Sequence, residues 1–207
     1  MMGRVLGSLV FVAALSGTAS ADILKLFGEV HGGGMYGWGL AGDQSDTAFF
    51  KQSPHGTYGA LIGGEFLLFD ALIEHHQYTN GSRLTTWTQF GIGIHQVFDT
   101  GSEQEKKAGQ GGYVEFAANL WFGVGTGQQV MPPLDNAQIS DKGFLAEGRI
   151  GFGKHLSNNF DVGLIVPVSY GFFFKSGNGA GANNTSNQYR GAEVEGLLAL
   201  RAKISLF

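Results

Sequence analysis

Apolar residues recur at every second position over most of the chain and alternate with glycine or polar residues. That is the period of a β-strand with two unlike faces. Eight segments carry the pattern. The first, about 24–39, sets Leu26, Gly28, Val30 and Gly32 against Lys25, Phe27, Glu29 and His31. The second, about 57–68, sets Tyr58, Ala60, Ile62, Phe66 and Leu68 against Gly59, Leu61, Gly63, Glu65 and Leu67. The third, about 71–79, leaves its faces open, because both registers contain a histidine. The fourth, about 84–97, alternates Phe90, Ile92 and Ile94 with Gln89, Gly91, Gly93 and His95.

The second half is more regular. Around 112–124, Val114, Phe116, Ala118, Leu120 and Phe122 oppose Tyr113, Glu115, Asn119 and Trp121. Around 143–154, Phe144, Ala146, Ile150 and Phe152 oppose Glu147, Arg149, Gly151 and Gly153. The seventh segment, about 160–174, places Phe160, Val162, Leu164, Val166, Val168, Tyr170, Phe172 and Phe174 on one face. The eighth, about 190–207, sets Val194, Leu198, Leu200, Ala202, Ile204 and Leu206 against Glu193, Glu195, Arg201, Lys203 and Ser205. Each run reaches the ~9–11 residues of a tilted membrane-spanning strand.

The connections alternate in length. With the first strand running outward, the outer connections are 40–56, 80–83, 125–142 and 175–189, and three of these four are long and polar. The inner ones fall near Phe69-Asp70, at 98–111 and at Leu156-Ser157-Asn158-Asn159. Short turns at one end and long loops at the other are the asymmetry of bacterial barrels. The charged stretch 98–111 is longer than a minimal turn.

Composition decides which solvent the apolar face meets. Charged residues make up only 14% of the chain, against about 25% in soluble domains. There are 35 glycines and 17 phenylalanines. Too few charges remain to cover a soluble surface, and a barrel facing lipid needs none there. Inward glycines relieve crowding inside a small barrel. A soluble periplasmic barrel of lipocalin type, with its apolar face inward, is the alternative that the low charge content disfavours.

Residues 1–21 read as a cleaved signal peptide, leaving 22–207 as the barrel: Arg4 precedes the apolar run Val5–Leu15, and Ala19-Ser20-Ala21 offers the cleavage site. The run is shorter than the ~20 residues of a spanning helix. Removing Arg4 from the 13 Lys and Arg leaves 12 against 17 Asp and Glu, a net charge near −5. Nothing basic is concentrated enough to bind nucleic acid. Cysteine is absent, so no disulfide scaffold exists.

On these patterns the chain resembles the small outer-membrane barrels typified by the OmpA membrane domain, OmpX and OmpW, across residues 22–207. The resemblance implies an eight-stranded, antiparallel, up-and-down transmembrane β-barrel in the outer membrane of a Gram-negative bacterium. It implies contact with outer-membrane lipid and lipopolysaccharide, insertion by the barrel-assembly machinery, and a monomer. The terminal segment Leu200–Phe207 is similar to the strand that this machinery recognises, with Phe207 as the assembly signal. In the family that Phe shares a face with apolar residues. Here Ser205, Lys203 and Arg201 take those positions, so Phe207 ends the strand off-face or recognition is looser.

Candidate chemistry lies on the polar face. If the apolar face meets lipid, the lumen receives Glu29, Glu65, Glu115, Asn119, Glu147, Glu193 and Glu195, with Arg149, Arg201 and Lys203 opposing the acids. Eight strands leave an interior that side chains can fill, and charge enclosed there must pair. The expectation is a polar plug, with a narrow channel for ions or hydrophobic solutes as its rival. Glu74, His75 and His76 look like metal ligands, but adjacent strand residues point to opposite faces, so the two histidines cannot share one ion. His31 and His95 both fall on the inner face, at unknown separation. No metal or other cofactor is therefore expected. There is no Ser-His dipeptide, and the serines mostly lie in loops without a nearby base, so no catalytic residues are expected either. Tyr58, Tyr78, Trp87, Trp121, Tyr170 and Tyr189 lie towards strand ends and read as an interfacial girdle, with Trp87 and Trp121 filling the interior instead. The long outer loops would carry any contact with a surface ligand.

Overall fold

The computed structural model describes residues 24–42, 54–80, 83–129, 139–176 and 188–206. The expected signal peptide 1–21 and assembly residue Phe207 lie outside the described residues. Eight strands, β1 (Leu24–Gly42), β2 (Pro54–Phe66), β3 (Phe69–Asn80), β4 (Arg83–Asp99), β5 (Gly111–Gln129), β6 (Ile139–Ser157), β7 (Phe160–Ser176) and β8 (Gln188–Ser205), follow one another around a closed barrel. Every neighbouring pair is antiparallel, and β1 pairs with β8, so no edge is left open. The strand number agrees with the sequence reading. Several strands, β5 and β6 most clearly, extend beyond the segments read from alternation.

Alternation sets the two surfaces. Leu26, Val30, Ile62, Phe90, Ile92, Leu120, Phe144, Ile150, Leu164 and Leu198 stand outward and exposed. The third strand resolves the same way, with Leu72, Glu74, His76 and Tyr78 inward and Ala71, Ile73 and His75 outward. Tyr78 therefore belongs to the interior and not to a girdle, and it stacks on His76 with ring centres 5.5 Å apart. The apolar face points away from the lumen, the reverse of a lipocalin-type barrel.

Glycines make the interior fillable. A side chain at Gly91 would meet the Trp121 ring at 2.3 Å, one at Gly123 would meet Trp87 at 2.3 Å, and one at Gly143 would meet Phe173 at 2.6 Å. Each of these three rings rests on a glycine of a neighbouring strand. Met35, Leu61, Leu72, Tyr78, Trp87, Trp121, Leu145 and Phe173 form an apolar cluster in this way.

One seam is tighter still. Pro167 has no N–H to give, and the β7–β8 ladder lapses there, passing from Ile165↔Leu197 directly to Val168↔Val194. On the other side of β8, a Cβ at Gly33 would lie 1.9 Å from the Gly196 carbonyl oxygen. Backbone cannot yield as a side chain can. Gly33→Ala is expected to cost about 1–3 kcal/mol through overpacking, while Gly196→Ala, whose Cβ would meet nothing within 4 Å, stays within about 0.5 kcal/mol. Urea titration of the two variants in detergent micelles checks the contrast.

At the turn end, two details differ from the sequence reading. The β2–β3 turn is Leu67-Leu68, with Leu67 at φ 59°, and Phe69-Asp70 already pairs as β3 opposite Phe66 and Glu65. That register places Asp70 in the lumen and Phe66 and Phe69 outside. The 98–111 connection contains a one-turn helix, α1 (Glu103–Lys107), closed by a capping box in which Ser102 accepts from the Glu105 N–H and Glu105 accepts from the Ser102 N–H. The Ser102 hydrogen bonds hold the Glu105 carboxyl below its ordinary range. The Ser-x-x-Glu spacing was visible in the sequence.

Candidate functional site: an ionic network across the lumen

All ten lumen residues read from the sequence point inward, but they do not form one network. Its centre is two arginines and two glutamates. Arg149 on β6 donates through Nη2 to both oxygens of Glu29 on β1, at 2.8 and 2.7 Å. Arg201 on β8 donates to Glu29 Oε2 through Nε at 3.0 Å and Nη2 at 2.7 Å. It also reaches Glu115 on β5, at 2.7 Å through Nη1 and 3.1 Å through Nη2. β5 and β8 are not neighbours in the barrel, nor are β1 and β6. These bonds therefore cross the lumen and tie opposite walls together. Glu115 is fully buried.

Such a cluster gives weak net stability but is costly to break, because removing one partner leaves a charge in a dry interior. Charge-assisted, two-pronged arginine contacts also fix geometry. The Phe27 ring lies 5.7 Å from the Arg201 guanidinium and closes that side.

The remaining residues divide between the two ends. Towards the turns, Lys25 pairs with Glu65 at 3.1 Å, and His95 stands between Glu65, Asp70 and Glu115. Lys203 does not join the arginine cluster. It binds Asp161 at 3.0 and 3.1 Å, beside a His155 that bridges Asp161 at 2.6 Å and Asp99 at 3.0 Å. On the other side of the arginine–glutamate cluster, Asn119 donates to Glu147 at 2.8 Å. Glu193 and Glu195 are buried, and among the described residues no lysine or arginine pairs with them.

Sequence reasoning missed Glu74 and Asp70 as lumen residues, along with the grouping of His31 with His76. Their ring centres are 5.1 Å apart. The argument that His75 and His76 cannot share an ion holds, since His75 faces out and bonds Thr88 at 2.8 Å. What it lacked was the register that brings His31 on β1 beside His76 on β3. The usable signal was Glu74: an acid on a lipid face is expensive, which would have turned Glu74 and His76 inward together.

A small cavity of about 20 Å³, room for roughly one water, lies beside the arginine–glutamate cluster, with Asp70, His95, Asn119, Arg149 and Arg201 on its polar side and Phe27, Leu61, Leu72 and Ala117 on its apolar side.

The chain is thus an all-β up-and-down barrel of inverted polarity, apolar outside and ionic inside. Among solved structures it is similar to Neisserial surface protein A, with 12% identity and a TM-score of 0.48 over 87% of this chain and 97% of that one. It is also similar to the N-terminal β-barrel domain of Pseudomonas aeruginosa OprF, with 14% identity and a TM-score of 0.38 over 86% and 97%. No protein-family model and no curated protein matches the sequence. At these identities the functional reading rests on the chain's own geometry.

Proposed function

We propose that this protein is an outer-membrane β-barrel of a Gram-negative bacterium with a structural or surface-interaction role and a lumen plugged against solute flow. The observation that carries this reading is the inverted polarity. A continuous belt of exposed Phe, Leu, Ile and Val surrounds a closed barrel whose ionisable groups are inside. Soluble monomers rarely expose apolar patches beyond a few hundred Å², whereas a closed barrel satisfies all its strand hydrogen bonds and can sit in hydrocarbon.

On this reading, lipid and lipopolysaccharide surround the belt, and the protein works as a monomer after insertion by the barrel-assembly machinery. The turn end with α1 faces the periplasm. The connections between β1 and β2, β5 and β6, and β7 and β8 face outward and carry any contact with a ligand or another cell. Neither catalysis nor nucleic-acid binding is part of the role. The cross-lumen arginine–glutamate bonds support the plug over the channel.

Planar-bilayer recording tests the function. The purified barrel is expected to add no steady conductance over the bare bilayer. An ohmic pore in the native protein would replace the plug with the channel reading.

A further inference from the structure

We propose that the lumen holds a divalent transition-metal site, formed by His31, Glu74 and His76 on the outer side of the plug, with the chemistry of a zinc site. One ligand atom from each residue lies within 4.8 Å of the others. His76 Nε2 is 3.0 Å from Glu74 Oε2, and His31 Nε2 is 3.6 Å from Glu74 Oε1, so both imidazoles present Nε2 to one carboxylate. An ion bound at about 2.0–2.2 Å by tetrahedral nitrogen and oxygen ligands holds them about 3.3–3.5 Å apart. Small side-chain rotations close the set. Two imidazoles and a carboxylate are the ligands of a borderline first-row ion and not of calcium or magnesium, which take oxygen.

Three further observations point to a ligand. First, the side chain of His31 is wholly buried, yet neither ring nitrogen makes a hydrogen bond, and the same holds for His76 Nδ1. A buried imidazole with both nitrogens unsatisfied, its Nε2 turned to a carboxylate that a second imidazole already faces, is costly unless something binds it. Second, the ligands already have supporting partners. His31 Nδ1 faces Glu29 Oε1 at 3.3 Å, and Gln89 donates to Glu74 Oε2 at 2.6 Å while accepting from the Trp87 indole at 2.9 Å. A carboxylate behind a histidine and a donor behind a carboxylate are what orient metal ligands.

Third, the charge is unbalanced. Seven acids are buried in the described interior; the arginines hold Glu29 and Glu115 and Lys203 holds Asp161, which leaves Asp70, Glu74, Glu193 and Glu195 without a lysine or arginine among the described residues. Glu193 and Glu195 act electrostatically on both Glu74 and His76, and each has a buried oxygen without a hydrogen bond. A dication offsets that excess, and one of these carboxylates can supply the fourth ligand.

The test uses the full-length protein folded in detergent, washed with chelator, incubated with Zn²⁺ and dialysed, with metal per chain measured by mass spectrometry. Folding of each variant is read separately, from its mobility in SDS without boiling. The native protein and His75→Gln, which alters only the outward histidine, are expected to retain one zinc each. His31→Gln and His76→Gln are expected to bind at least about 100-fold more weakly, and Gln89→Leu about 10–100-fold more weakly. Absence of retained zinc in the folded native protein would overturn the site, as would unchanged retention in both His31→Gln and His76→Gln. If those variants do not fold, Co²⁺ added to the native protein decides. An intense visible spectrum of four-coordinate cobalt supports the site, and the weak spectrum of the hydrated ion overturns it. Because folding is scored apart from metal content, failure of this site leaves the barrel reading untouched.

Discussion

Replacing Arg201 by methionine is expected to lower folding stability by about 3–5 kcal/mol, the cost of leaving a buried charge without its partner. Arg201 makes four hydrogen bonds, two to Glu29 and two to Glu115. Methionine fills much of the volume and removes every donor. Arg149 still holds Glu29, but its Nε is 3.5 Å from Glu115, too far to replace the lost bonds. Glu115, left with His95 at 3.4 Å and Arg149 at 3.5 Å, then bears most of the loss. Neutralising it should recover part of the stability, so the double variant Arg201→Met, Glu115→Gln is expected to be more stable than Arg201→Met alone. Urea titration followed by tryptophan fluorescence reads both, because Trp87 and Trp121 are buried in the lumen. A loss under about 1 kcal/mol for Arg201→Met would mean that water reaches these charges, and the plug would not be closed.

The second large effect belongs to the outer surface. Leu120 is 62% exposed, midway along β5 and flanked outside by Ile92 and Ala146 of the neighbouring strands. In water, an exposed leucine changed to arginine shifts stability by no more than about 0.5 kcal/mol. At the midplane of a bilayer the same change costs about 2–4 kcal/mol, falling to about 0–1 near the interfaces. Leu120→Arg is therefore expected to destabilise the barrel in liposomes by about 2–4 kcal/mol. Leu156→Arg, near the turn end of β6 and 50% exposed, is expected to cost at most about 1 kcal/mol. Equal and small effects at both positions would mean that the belt does not face hydrocarbon.

Much of this architecture can be read from the chain because a strand repeats every two residues and the barrel has only two surfaces. Once Val30, Ile92 or Leu120 is assigned outward, its neighbours Glu29, Gly91 and Asn119 must go inward, and the lumen set follows. Pairing across the lumen does not follow. Which strands face one another depends on closure and stagger, so Arg201 could be placed inside but not matched to Glu115 on β5, nor Arg149 to Glu29 on β1. The register of β3 stayed open for a related reason. Its histidines occupy both faces, and hydrophobicity alone barely separates Leu72 from Ile73. Tyr78 was assigned to the girdle on its position near a strand end, but its face, not its height, decides where its ring goes. The Leu67-Leu68 turn carries no glycine, proline or asparagine to mark it. It is fixed instead by the need to bring Asp70 inside.

The most direct test of the inverted barrel is the mobility of the native protein in SDS, boiled and unboiled, after extraction from the outer-membrane fraction with detergent. A closed barrel resists SDS when cold, so the unboiled protein is expected to migrate differently from the boiled chain. Identical mobility, with the protein recovered without detergent in the aqueous periplasmic fraction, would contradict the account.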